Sequence, residues 1–155
     1  MKTSTIVWII VVIVIIIGGV WYYYDSNPMT PTPAATTTTT GTTSTPVVSI
    51  GTNATLGPVL VAANGMTLYS YNQDKVGVSN CTGQCLVVWP AYSPAAGASL
   101  TAGAGVTGAL GTITRTDNGA TQLTYNGMPL YFFAQDTTVG DAKGQNQNGF
   151  IVAQP

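Results

Sequence analysis

The side chains after residue 46 most able to do chemistry are two cysteines, Cys81 and Cys85, and four aspartates, Asp74, Asp117, Asp136 and Asp141. The chain has no histidine, and all of its acids are aspartates. Histidine-based triads, histidine metal sites and the usual general bases are therefore out of reach. A glycosidase could work with two aspartates, but Asp74 and Asp136 fall at the ends of apolar runs, where a carboxylate accepts backbone N–H groups of a turn. The expectation is no catalytic residue, no resident metal and no cofactor.

Cys81 and Cys85 suit a disulfide in an oxidising compartment. Their three intervening residues depart from the redox C-x-x-C spacing. Ser79-Asn80 before them and Trp89-Pro90 after them predict a short helical turn between the cysteines, relaxed at Gly83. The alternative chemistry is an extracytoplasmic redox or copper-handling protein, with the two thiolates joined by Met66 or Met128 around a soft cation. Asp141 to Gly149 is rich in oxygen donors, but it lacks the spacing and terminal glutamate of a calcium loop and reads as a polar loop.

Tyr69, Tyr71, Tyr131 and Phe133 alternate with Leu68, Ser70, Leu130 and Phe132, so the two sets project from opposite faces of their strands. Packed inside, the first set is core. Lined up on a surface, it is an aromatic platform for sugar rings or another cell-envelope polymer, and these four are the candidate ligand-binding residues. Lys75, Arg115 and Lys143 are the domain's basic residues, too few and too scattered for nucleic acid. No glycine-rich loop opens a helix, so no nucleotide is expected.

The elements that position these groups read as β. Short apolar alternations are punctuated by turn residues. Leu60–Ala63 and Met66–Tyr71 flank Asn64-Gly65, a two-residue hairpin signal. Leu110–Arg115, Ala120–Tyr125 and Met128–Phe133, separated by Asp117-Asn118-Gly119 and Asn126-Gly127, predict a three-stranded meander, and Phe150–Ala153 a last strand. Superposing the two Asn-Gly pairs aligns residues 64–74 with 126–136 without a gap, with seven of eleven positions identical. The motif copies extend over 64–85 and 126–149. Two copies predict a pseudo-symmetric pair, not a solenoid.

The paired motifs, Tyr69-x-Tyr71-x-x-Asp74 and Tyr131-x-Phe133-x-x-Asp136, with Cys81-Thr-Gly-Gln-Cys85 and Trp89-Pro90 between them, resemble a bacterial secreted-repeat, or predicted lipoprotein, family with a Y-x-[FWY]-x-x-D signature. The resemblance runs from about Val59 to Val152 and implies a repeat of unknown function, with Asn64, Gly65, Asp74, Trp89, Asn126, Gly127 and Asp136 as structural motif positions. Many members carry a lipid-modified cysteine after a signal peptide, whereas no cysteine precedes Cys81 here. Members often have tryptophan in the last strand, where this chain has Phe150 and Ile151.

The apolar content, high against 6% charged residues, is concentrated at the amino terminus. Residues 6–24, IVWIIVVIVIIIGGVWYYY, carry no charge and would make a helix of about 28 Å, close to the hydrocarbon thickness of a bilayer. In lipid a helix satisfies its own backbone, which an isolated strand cannot. Trp21 to Tyr24 suit the membrane interface better than a cleavage site. Lys2 before the span and Asp25 after it place residues 1–5 in the cytoplasm and the rest outside. Residues 25–46 hold ten threonines and four prolines, a disordered or extended stalk. The reading is a single-pass, non-enzymatic, surface-displayed binding or structural module. It has an all-β domain at 47–155, one short helical turn near the cysteines, and one amino-terminal transmembrane helix held in the bilayer.

Overall fold

The computed structural model describes residues 45–155, together with Ile16. The expected transmembrane helix (6–24) and nearly all of the stalk (25–46) lie outside the described residues. Among the described residues no helix is long and apolar enough to cross a membrane.

Residues 45–155 form seven short strands in antiparallel sheets and one helical turn. Strands β1 (Val48–Asn53) and β2 (Gly57–Ala62) make a hairpin, with Ile50 opposite Leu60 and Asn53 opposite Gly57. Its turn is closed by the Asn53 side chain, whose Oδ1 accepts the N–H groups of Thr55 and Leu56. Strands β4 (Leu110–Thr114), β5 (Thr121–Tyr125) and β6 (Met128–Pro129) form the expected meander. Its third strand is shorter than Met128–Phe133, because from Tyr131 the chain leaves β5 for other partners. Strand β3 (Tyr69–Tyr71) pairs with β7 (Phe150–Val152).

The two Asn-Gly turns differ. Asn126 and Gly127 both have positive φ, 51° and 78°, as a two-residue turn between Tyr125 and Met128 requires. At the first turn only Gly65 is positive, at 80°, and Ala62 N–H donates to the Met66 carbonyl. The loop there is three residues long, Ala63 to Gly65, not the expected two-residue hairpin. The glycine takes the left-handed position such a loop needs.

Two copies of one hydrogen-bond pattern follow. Leu68 N–H donates to Leu60 O, as Leu130 N–H does to Leu123 O. Leu60 and Leu123 then donate to Ala153 O and Tyr92 O, and Ala153 and Tyr92 donate back to Leu68 O and Leu130 O. The last segment of each copy therefore pairs with the other copy's partner of equivalent type: Tyr92 closes the second copy's sheet, and β7 closes the first's. Tyr69 and Tyr131 exchange both backbone hydrogen bonds, each 2.9 Å, so the pseudo-two-fold axis passes between them. Exchange of the closing strands leaves neither copy complete alone.

The core has two clusters, one built around Leu60, Leu68, Leu123 and Leu130, the other aromatic. In the second, Trp89 stacks on Phe150 with ring centroids 3.8 Å apart and planes at 4°. These two residues occupy equivalent places in the exchanged closing segments, so Phe150 fills the position of the expected last-strand tryptophan. The helical turn α1 (Cys85–Val88) begins at the second cysteine rather than lying between the two. The chain from Cys81 to Cys85 is a turn instead, with Gly83 at φ 58°.

Candidate functional site

The motif residues converge on the axis. Tyr69 Oη donates to Asp136 Oδ2 at 2.5 Å and Tyr131 Oη donates to Asp74 Oδ2 at 2.7 Å. The tyrosine of each copy thus serves the aspartate of the other. The second carboxylate oxygen closes a local loop: Asp74 Oδ1 accepts Asn80 N–H and Asp136 Oδ1 accepts Lys143 N–H. That is the turn role expected for both aspartates, with a cross-copy bond added. Burial raises the pKa of Asp74 above the ordinary carboxylate value, opposed by its hydrogen bonds from Asn80 and Tyr131. Burial and the facing carboxylates push both phenols well above the usual tyrosine range.

Arg115 extends this network in the second copy. It is buried, although it had counted in the sequence only as one of a few scattered charges. Its guanidinium forks onto Asp117, donates to Ser79 Oγ and Gln122 Oε1 through Nη1, and to the Cys81 carbonyl through Nη2. Ser79 in turn bonds the Tyr131 hydroxyl, and Gln122 Nε2 donates to Leu130 O. The guanidinium beside Asp117 holds that carboxyl below its ordinary pKa. The sequence signal was Arg-x-Asp across a strand-to-turn boundary, whose meaning depends on the strand register that buries Arg115.

At the same place in the first copy lies an open groove of about 370 Å3, lined by Asn53, Thr55, Leu56, Asp141, Lys143 and Gln145 among others. Asp141 Oδ2 accepts Lys143 Nζ and the N–H groups of Thr137 and Thr138, which bring its pKa down to about 2. A second groove, of about 260 Å3, runs past Ser70, Asn126, Met128 and Ile151.

The model of a family described as a secreted repeat of unknown function matches residues 52–92 and 111–152, more than half of the chain. The chain belongs to this family. No curated protein and no solved structure matches it. The two matched stretches correspond to the two structural copies, each running from a hairpin through the Tyr/Asp motif to a closing segment.

Within the paired secreted repeats, the motif aromatics are packed as core, and the alternative of an exposed aromatic platform at Tyr69, Tyr71, Tyr131 and Phe133 does not form. Tyr69 and Tyr131 are wholly buried and Phe133 is 3% exposed. Tyr71 is half-buried, stacked on Phe150 at 4.2 Å. The reason is the axis: pairing Tyr69 with Tyr131 turns the motif face of both strands inward, onto Trp89 and Phe150. Trp89 is buried with them. Gly65 and Gly127 sit under the other copy's loop, where an added Cβ would stand 3.0 Å from Val139 and 2.8 Å from Val76 respectively. Asn64 Oδ1 caps its own turn by accepting Met66 N–H, whereas Asn126 Oδ1 accepts Ala109 N–H and ties its turn to the residue before β4.

Cys81 and Cys85 form the expected disulfide, with Cα atoms 5.3 Å apart. Neither is left as a thiolate for a soft metal, the state the copper alternative requires. Among the described residues no group of three or more cysteine, aspartate or related side chains could hold a metal ion.

Proposed function

We propose that this chain is a membrane-anchored, surface-displayed, non-enzymatic binding or structural module acting on a cell-envelope polymer. In this reading residues 6–24 stand in for the lipid anchor of related lipoproteins. Residues 1–5 stay in the cytoplasm, and the Thr/Pro stalk of residues 25–46 carries the paired repeats outward. Tyr69-x-Tyr71-x-x-Asp74 and Tyr131-x-Phe133-x-x-Asp136 are the signature that welds the two repeats. Membership in a family of secreted repeats fits an extracytoplasmic domain.

The observation that carries the reading is how the acids are used. Asp74 and Asp136 are tied to tyrosines and turn N–H groups, Asp117 to Arg115, and Asp141 to Lys143 and two backbone N–H groups. A general acid or base has to exchange a proton with substrate near its working pH, whereas Asp74, Asp117 and Asp136 are committed to holding the fold and Asp141 stays ionised down to about pH 2. The disulfide is read in the same way, as a staple: Cys81 is buried and Arg115 clamps its carbonyl, whereas a thiol-exchange site presents its sulfur.

The test is protease treatment of intact cells followed by fractionation, then sedimentation of the full chain with purified envelope polymers. The expected result is a domain released from the outside, a residual membrane-embedded fragment, and co-sedimentation. A protected domain, or a fully soluble one with no polymer association, overturns the reading.

A further inference from the structure

The two copies differ where their near-symmetry should make them alike. Strand register makes Asn53, opposite Gly57, the counterpart of Arg115, whose N–H donates to Ala120 O. The bonds to Asp74 and Asp136 make Lys143 the counterpart of Asn80, and therefore Ala142 that of Ser79. Leu60 and Leu123 make Val59 the counterpart of Gln122. Every residue of the arginine network is thus replaced in the first copy by a smaller or less polar one. The space that the guanidinium and its acceptors fill in the second copy is the open groove of about 370 Å3 in the first.

We propose that this groove is the ligand site of the domain and that it takes a sugar residue of a neutral polysaccharide. The proposal rests on the reading of the chain as a polymer-binding module and names its site. Charge decides against an ionic ligand: Asp141 and Lys143 neutralise each other at 2.9 Å, and the buried acceptors that hold a guanidinium in the other copy are gone. What remains is a mixed rim. Asp141 Oδ1, Gln145 Nε2 and the Thr55 hydroxyl have no protein partner among the described residues, while Gln145 Oε1 is fixed by Val152 N–H and Asn53 by Gly140 O. Leu56 and Ala142 supply apolar surface between these groups. Donors and acceptors interleaved around a small apolar floor match the hydroxyls and C–H face of a pyranose ring. The fixed side chains lower the ordering cost of binding.

The experiment is a 15N-detected titration of the full chain in detergent micelles with chitohexaose, maltohexaose and mannohexaose as neutral probes and oligogalacturonate as an anionic one. Saturable shifts confined to residues 53–56 and 140–145 with a neutral probe are expected. Asn53→Arg with Thr55→Asp, which rebuilds the other copy's plug, should weaken binding at least tenfold, while Ile151→Gln in the other groove leaves it unchanged. Should the plugged variant lose its fold, Thr55→Trp fills the same space from an exposed position and carries the comparison. Binding only of the anionic probe, or of none, overturns the proposal. Shifts around Ser70 and Ile151 overturn this site while leaving a polymer-binding module standing, and loss of envelope co-sedimentation overturns both.

Discussion

Tyr69 of the first repeat donates its hydroxyl hydrogen bond to Asp136 of the second, across an axis on which Tyr131 does the same to Asp74. A motif that looks local in each repeat is therefore an inter-repeat contact. The use of one tyrosine and one aspartate from each copy makes the pair reciprocal, as the contacts of a two-fold interface are.

The first prediction concerns that reciprocity. Tyr131→Phe leaves the Asp74 carboxylate without its phenol and should cost about 1–3 kcal/mol, the range for a buried polar group left without its partner. Tyr69→Phe should cost a similar amount. A double-mutant cycle of Tyr69→Phe with Asp136→Asn, read by urea unfolding, should show coupling of at least about 0.5 kcal/mol, because the residues share one bond. Strict additivity would mean that the cross-repeat bond contributes nothing.

Acid stability should carry two opposing slopes. Asp74 has a raised folded pKa, so the folded state holds its proton longer than the unfolded chain. Its contribution to stability is greatest below the ordinary value of 3.8 and is lost as pH rises through the folded value. Asp141, lowered to about 2, works the other way: its contribution is present above 3.8 and is lost as pH falls towards 2. Denaturant unfolding between pH 2 and pH 7 should show Asp141→Asn flattening the acid limb, and Asp74→Asn removing a decline above pH 4. Unchanged profiles would refute the assignments.

How much of this was legible beforehand follows from which contacts are local. The turn signals, the meander, the disulfide and the repeat are written in neighbouring residues, and the sequence carries them openly. Whether Tyr69 and Phe133 face solvent or core is decided by Tyr69 pairing with Tyr131, two residues 62 positions apart, and alternation alone leaves that open. The burial of Arg115 is hidden for the same reason, since its contacts with Ser79 and the Cys81 carbonyl join residues more than thirty positions apart, whereas β1 belongs to a local hairpin whose turn carries no Asn-Gly signal.

Replacing both Cys81 and Cys85 with serine should cost about 2 kcal/mol by loop entropy, since the closed ring is only five residues. The fold should survive, because Arg115 still holds the residue 81 carbonyl. Thermal unfolding with and without reductant checks this, and collapse of the domain on reduction would assign the bridge a larger role.

Gly144 is pinned by the aromatic cluster. A Cβ there would lie 2.7 Å from Trp89 and 2.9 Å from Phe133, and neither ring can retreat, since Trp89 is also stacked on Phe150. Gly144→Ala should destabilise by about 1–3 kcal/mol through overpacking, with an altered near-ultraviolet circular dichroism spectrum. An unchanged spectrum and midpoint would show that the cluster is looser than its contacts indicate.

Arg115 offers the sharpest contrast between charge and shape. Arg115→Ala strands the buried Gln122 Oε1 and the Cys81 carbonyl, and a buried acceptor left without its donor costs about 1–3 kcal/mol, whereas Asp117 is exposed and rehydrates. Lysine keeps the charge but not the planar fork that reaches Asp117, Gln122 and the Cys81 carbonyl together. Arg115→Lys should therefore recover less than half of the loss in chemical denaturation. A joint change to the first copy's set, Arg115→Asn, Asp117→Thr, Ser79→Ala and Gln122→Val, should be better tolerated than Arg115→Ala, because it removes the stranded acceptors with the donor. If the quadruple variant is no more stable than the single one, the near-symmetry of the two repeats does not extend to this network.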